Sequence, residues 1–312
     1  MIFLWGTLDD APMAIACAAL TQAGAEFVFF DHRKIARCEI DSVIDGANGE
    51  RCTVTVEGAT IDITGVTVAY VRGLSFYQHD ELRGLPHDSP PVIRAAAFEA
   101  QLTAWLDASD AVVINRSAPS ATNNSKPYQM SVIHQAGFAV PETLLCNDAE
   151  AARAFLVQHP DSVYKSMSGV RSIVRRLGEA QCGLIDDVQW CPTLFQRAVK
   201  GTNYRAHVLG DRVFAAQIAS DQIDYRYGRS TITPAELPAD VAQRCRRLTR
   251  MLGLHFAGID LMRSDEGEWF CFEANPSPGY PYYEAAGGAS IGAALARFMI
   301  EADASRQKKM RV

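Results

Sequence analysis

The chain has 312 residues, about twice the roughly 150 of a typical single domain, which points to two domains or one elaborated one. Its 30 Lys and Arg against 36 Asp and Glu leave a net charge of −6, which argues against duplex nucleic acid or an anionic membrane as the main partner. With 48% hydrophobic and 21% charged residues the composition is that of an ordinary globular protein, and the longest apolar run, Met13 to Leu20, falls far short of the roughly 20 residues that span a bilayer.

Met1 to Gly6 has no basic region and runs straight into Asp9-Asp10, so it reads as a buried first strand, not a secretory signal. Eight cysteines are scattered singly, without Cys-x-x-Cys pairs or zinc-type spacing, which fits reduced core thiols and a cytoplasmic location.

In chain order, an apolar strand at Met1–Leu4, a helical pattern over Ala11–Ala23 and a short apolar run at Glu26–Phe30 predict a β-α-β opening. Thr53–Ile63 alternates with period two on both sides of Gly58, as a hairpin with one wet face does. Val66–Val71 and Ala111–Ile114 are further buried strands, with a helix over Val92–Asp107 between them. Helices are expected at Pro127–Ala136 and Ala149–His159. Long strands follow at Thr193–Val199, Asn203–Leu209 and Arg212–Ala219, the last two joined across Gly210-Asp211. A helix at Asp240–Leu252 leads to two strands, His255–Met262 and Glu268–Ala274, and to a final helix from Glu284 to Glu301, with a solvated, frayed tail after Ala304.

The chemistry concentrates in the last two strands. Side chains two apart on a strand share a face, so Glu273 and Asn275 point the same way, and Asp260 on the preceding strand can lie beside them. Three oxygen ligands without His or thiolate suit a hard cation, Mg²⁺ or Mn²⁺. A solvated strand end is the alternative, and it fits poorly with carboxylates inside apolar strands. Lys165 ends an apolar strand before a small-residue loop, and Lys126 opens a helix where an anion is favoured. Taken singly, each is either a phosphate contact or an ordinary surface lysine.

Together these segments resemble the ATP-grasp carboxylate–amine ligases, closest to the branch of ribosomal-protein glutamate ligases and peptide maturases. The matching motifs run in order over Asn115–Tyr283: Asn115-Arg116, Ser125–Tyr128, Gly137–Thr143, the Lys165 strand and loop, Phe195–Val199, Asn203–Gly210 and the two acidic strands. The resemblance implies an ATP-grasp fold, mixed α/β and α+β. It would comprise an N-terminal α/β domain at 1–118, a central lid domain at 119–192 and a C-terminal domain at 193–312. It further implies that Lys126 and Lys165, with Ser168 and Gly169, contact ATP phosphates and that Gln196, Arg197, Ala198 and Val199 form the adenine hinge. Asp260, Glu273 and Asn275 would hold magnesium, and Arg205 would be the catalytic arginine at the transferred phosphoryl group. Two departures stand out: the loop after Lys165 carries only Gly169 where relatives often have several glycines, so Ser168 or Arg171 would substitute. Gln196 occupies a place where an acidic residue is common.

Substrate signals are thinner. Arg226 suits a carboxylate, with an exposed loop arginine as the alternative. Tyr280, Tyr282, Tyr283 and Glu284 line an acceptor pocket or else are core aromatics before a helix, and Arg72 ends a first-domain strand toward the cleft. The expected reaction is two-step: a carboxylate attacks the γ-phosphate to give an acyl phosphate and ADP, and an amine displaces phosphate to leave an amide. The expected partners are thus an amino acid or peptide carboxylate and an amine acceptor, with no nucleic acid or membrane and with homo-oligomerisation open. A hydroxyl acceptor giving an ester fits the maturase branch. Two rivals are a non-catalytic ATP-binding sensor or scaffold and a small-molecule kinase.

Overall fold

A computed structural model describes residues 1–45, 49–73, 80–166, 174–177, 183, 185–220, 230–287 and 290–310. Two units emerge, Met1–Ser117 with Gly279–Pro281 and the segment from Ser290, and Ala118–Pro278 with Tyr282–Ala289.

The first unit opens with β1 (Ile2–Gly6), α1 (Ala11–Gln22) and β2 (Phe27–Asp31). Ile2, Phe3, Leu4 and Trp5 are all buried, as the continuous apolar run requires of a parallel strand covered on both faces. Asp10 caps α1 by accepting from the Met13 N–H at 3.2 Å. An antiparallel sheet of β3 (Cys38–Asp45), β4 (Gly49–Val56) and β5 (Ala59–Asp62) follows. The β4–β5 hairpin turns on Glu57 and Gly58, both at positive φ (50° and 84°), the two-residue turn whose twist matches the strands. β6 (Val68–Val71) and β7 (Val112–Ile114) complete a parallel sheet in the order β2-β1-β6-β7, with α2 (Pro90–Ala108) between them in sequence. Phe3, Phe30 and Phe98 stack at its core.

Arg116, part of the first quoted motif, has a structural duty: its guanidinium donates to the carbonyls of Leu106, Asp107, Ser109 and Ala111 at 2.6–2.8 Å and so closes the C-terminus of α2. The expected frayed tail is corrected. A C-terminal helix runs Ile291–Met310 and packs on α1, and its Asp303 accepts from the Met1 ammonium at 2.8 Å. The expected single helix from Glu284 is instead Pro281–Ala285 followed by this one.

The second unit holds two antiparallel sheets. The smaller has the order β10-β9-β11-β8, from β8 (Thr143–Cys146), β9 (Ser162–Ser166), β10 (Arg175–Arg176) and β11 (Thr193–Arg197). The larger has the order β14-β13-β12-β15-β16, from β12 (Gly201–Leu209), β13 (Arg212–Ser220), β14 (Ser230–Ala235), β15 (Phe256–Ser264) and β16 (Trp269–Asn275). Two helices, α3 (Lys126–Gln135) and α5 (Ala239–Met251), cover one face of it, while α4 (Ala149–Gln158) lies against the smaller sheet. Val132, Ile133, Val241, Cys245 and Leu248 pack there on Ala206, Val208, Ile259 and Ala274. Because strand side chains alternate, burying Ala206, Val208 and Ile259 sends Arg205, His207 and Asp260 to the opposite face.

Candidate active site

That opposite face carries a row of charges set by register alone. Arg205 on β12 is paired with Asp260 on β15, and Asp260 with Glu273 on β16. The next pairing puts Asn275 opposite Gly258, so Asn275 follows Glu273 on the same face, as the spacing of two predicts. Beyond Asp260 the ladder shifts, Leu261 pairing with Cys271, and the bulge leaves Phe272 as the extra residue. Phe272 lines a cavity of about 190 Å³ together with Lys165, Gln196, Ala198, Asp260 and Glu273.

Lys126 comes from the first turn of α3 and is 4% exposed, which for a lysine requires a partner. Its Nζ lies 3.1 Å from Glu273 Oε1 and donates to Asn123 Oδ1 at 3.2 Å. Arg205 is 6% exposed and its Nη1 donates to Asp260 Oδ1 at 2.6 Å. Burial pushes the Glu273 carboxyl up, but Lys126, Lys165 and Arg205 more than offset it and hold the group below its usual range. The Glu273 carboxylate therefore stands ionised among three cations.

One contributor escaped sequence reading. Gln129, 1% exposed on α3, donates through Nε2 to the Ala274 carbonyl at 2.9 Å and accepts at Oε1 from the Ala274 N–H at 3.1 Å. It acts as a stand-in neighbouring strand for β16, fixing the residue between Glu273 and Asn275. A lone glutamine on a helix gives no sequence signal for this.

In the segment expected to be the hinge, Gln196 is buried and donates to Thr143 Oγ1 at 2.8 Å, which accounts for a neutral residue at that position. The Arg197 N–H donates to the Glu142 carbonyl at 2.9 Å and the Ala198 N–H to the Asp161 carbonyl at 2.8 Å. Arg197 also pairs with the Glu142 carboxylate and lies 6.0 Å from the Phe270 ring centre. Residues 196–199 all line the cavity.

Other expectations end differently. Ser168, Gly169, Arg171 and Arg226 lie outside the described residues. Tyr280 is fully buried in the first unit, its hydroxyl donating to the Pro12 carbonyl at 2.8 Å, so for it the core alternative holds, whereas Tyr282 is exposed. Tyr283 meets the His207 ring edge-on at 4.7 Å. Arg72 is clamped on Asp10 within the first unit, at 2.5 Å and 3.2 Å. The cysteines among the described residues are free thiols. Burial pushes Cys17 and Cys38 up to about 11 and Cys245 up to about 12, which keeps them protonated and inert. No described helix is long and apolar enough to cross a membrane.

Two carboxylates and an amide oxygen on one sheet face are a hard donor set, and three cations beside them make the cluster net positive, a setting for a polyanion with its divalent counterion. The residues present thus fit magnesium with a nucleotide triphosphate.

No protein-family model matches the chain. Among curated proteins it is similar to "Probable alpha-L-glutamate ligase 1" of Shewanella amazonensis, 34% identical over 122 residues, a match spanning 36% of this chain and only 38% of that protein. It is similar at greater length to the "Probable alpha-L-glutamate ligase" of Vibrio cholerae, 25% identical over 261 residues, 75% of this chain and 83% of that one. Among solved structures it is similar to the ATP-grasp ligase PsnB complexed with minimal precursor, Mg and ADP, at 25% identity and a TM-score of 0.79, covering 97% of both chains. With the fold matched over nearly the whole chain, and Lys165, Gln196, Asp260 and Glu273 lining one cavity, the chain has the ATP-grasp fold and is similar to ATP-grasp ligases of the glutamate ligase and peptide maturase kind.

Proposed function

We propose that the protein activates the carboxylate of an amino acid or peptide as an acyl phosphate and joins it to an amine, releasing ADP and phosphate. The carrying observation is the Arg205–Asp260–Glu273 row, with Lys126 and Lys165 converging on Glu273. Asp260, Glu273 and Asn275 would hold magnesium, which when bound supplies charge neutralisation for phosphate oxygens. Residues 196–199 line the cavity for the adenine, and Lys126 and Lys165 bind the phosphates. Ser168 and Gly169 would complete the phosphate loop, and Arg226 would meet the carboxylate substrate.

In this reading a substrate carboxylate oxygen attacks the γ-phosphorus, the bond to the β-phosphate oxygen breaks, and ADP leaves. The amine then attacks the acyl carbon, loses a proton, and phosphate departs with the carboxylate oxygen. Arg205 presents a planar fork to the charge that develops on the transferred group, so it acts most strongly in the transition state. The segment 119–192, with the smaller sheet, would serve as the lid over the nucleotide. The similarity to PsnB, which is complexed with a precursor, Mg and ADP, supports a peptide as one partner. A reduced cytoplasm fits the free thiols.

Incubating the protein with ATP, magnesium and pools of amino acids or peptides tests this. The expected result is ADP with a product lighter than its parents by one water. Stable phosphorylated product would favour the kinase, and nucleotide binding without turnover the sensor.

A further inference from the structure

Gly258 sits on the charged face, between His207 on β12 and Asn275 on β16 and two residues before Asp260. Its own missing side chain has a use. A Cβ built at Gly258 would overlap Nη2 of Arg205, stand 2.6 Å from its Cζ and 2.7 Å from Pro278 Cβ. Real Cβ atoms do not approach heavy atoms so closely, so the guanidinium occupies the volume that any other residue would fill. Gly258 is not at positive φ, so its backbone places no demand for glycine.

The neighbours explain why the slot matters. Arg205 and Asp260 face each other across the ladder, and a side chain as long as arginine has many rotamers from which to reach a carboxylate. The guanidinium is instead laid back over the adjacent backbone at Gly258, while Nη1 keeps its 2.6 Å bond to Asp260.

We propose that Gly258 is a positioning residue that sets the orientation of the Arg205 guanidinium for phosphoryl transfer and acyl substitution. The inference rests on the reading of Arg205 under the proposed function. Displacing a catalytic group by about 1 Å costs about 10²-fold in rate, so Gly258→Ala should slow single turnover by about that factor while leaving nucleotide affinity nearly unchanged.

The test is a cycle of Gly258→Ala with Arg205→Lys and Arg205→Ala on the full-length protein. Single-turnover ADP formation, ADP affinity by calorimetry and the thermal midpoint are measured for each. Acting only through Arg205, Gly258→Ala should add little rate loss to Arg205→Lys. Its lowering of the thermal midpoint should shrink in the Arg205→Ala background, where the overlap with the guanidinium is gone. That thermal comparison stands even where Gly258→Ala proves too unstable to assay. Additive effects on rate and midpoint, or a wild-type rate in Gly258→Ala beside a slow Arg205→Lys, would overturn the inference alone. A wild-type rate in Arg205→Lys would overturn the reading of Arg205 beneath it.

Discussion

Lys126 and Glu273, 147 residues apart in sequence, form a 3.1 Å ion pair in which the lysine is buried and the carboxylate is only partly open to solvent. The pair links the first turn of α3 to the last strand of the larger sheet. Removing the ammonium leaves Glu273 with its burial cost and fewer cations to offset it.

Lys126→Met is therefore expected to destabilise the protein by about 2 kcal/mol near neutral pH, less than the loss of a fully buried pair because Lys165 and Arg205 remain. The pH dependence has a definite sign. In the wild type the Glu273 carboxyl is held below its usual 4.5, so its contribution is present above that pH and is lost as pH falls through the lowered value. Urea unfolding should show the gap between variant and wild type narrowing from neutral pH to about pH 3. A constant gap would mean that the lysine acts by packing only.

Glu273→Gln keeps the shape and removes the charge of a proposed cation ligand. ADP release should fall by about 10²-fold or more, with the circular dichroism spectrum unchanged. Wild-type turnover at saturating magnesium would refute the metal assignment.

Arg205→Lys and Lys165→Met separate two kinds of phosphate contact. The first keeps a charge and loses the fork, so kcat should drop about 10²-fold with nucleotide Kd little changed. The second should weaken nucleotide binding itself, because Lys165 lines the cavity and, in the proposed reading, would meet the ground-state triphosphate. Equal affinity losses in both variants, with no special rate defect for Arg205→Lys, would contradict this division of labour.

Gln129→Leu removes both hydrogen bonds to Ala274 and leaves a buried N–H and carbonyl unpaired, which should cost about 2–4 kcal/mol. Since Ala274 lies between Glu273 and Asn275, magnesium-dependent nucleotide affinity should weaken as well. Denaturant midpoints and calorimetry read the two effects, and an unchanged midpoint would show that β16 holds its place without the glutamine.

Residues close in sequence announced themselves, and residues joined only in space did not. The β-α-β opening was legible from the apolar run Ile2–Trp5, and the two hairpins from Gly58 and Gly210-Asp211, because period and turn chemistry are local. Asp260, Glu273 and Asn275 stood out as polar groups inside apolar strands. The strand Cys38–Asp45 was missed because one whole stretch of it, Asp41 to Ile44, is exposed whatever the residue, so the alternation that marks a strand is absent. The helical tail beyond Ala304 depends on Asp303 meeting the Met1 ammonium and Thr67, a contact that no local pattern encodes. Gln129 and Gly258 were invisible for the same reason, since one is defined by a strand end 145 residues away and the other by the side chain of Arg205.

The most direct test of the acyl phosphate reading follows one oxygen atom. With a substrate whose carboxylate carries ¹⁸O, the turnover proposed here forms ADP and leaves one labelled oxygen in the released inorganic phosphate, detected by mass spectrometry. Label in AMP, with pyrophosphate as the second product, would mean that the carboxylate attacks the α-phosphorus and would contradict the mechanism.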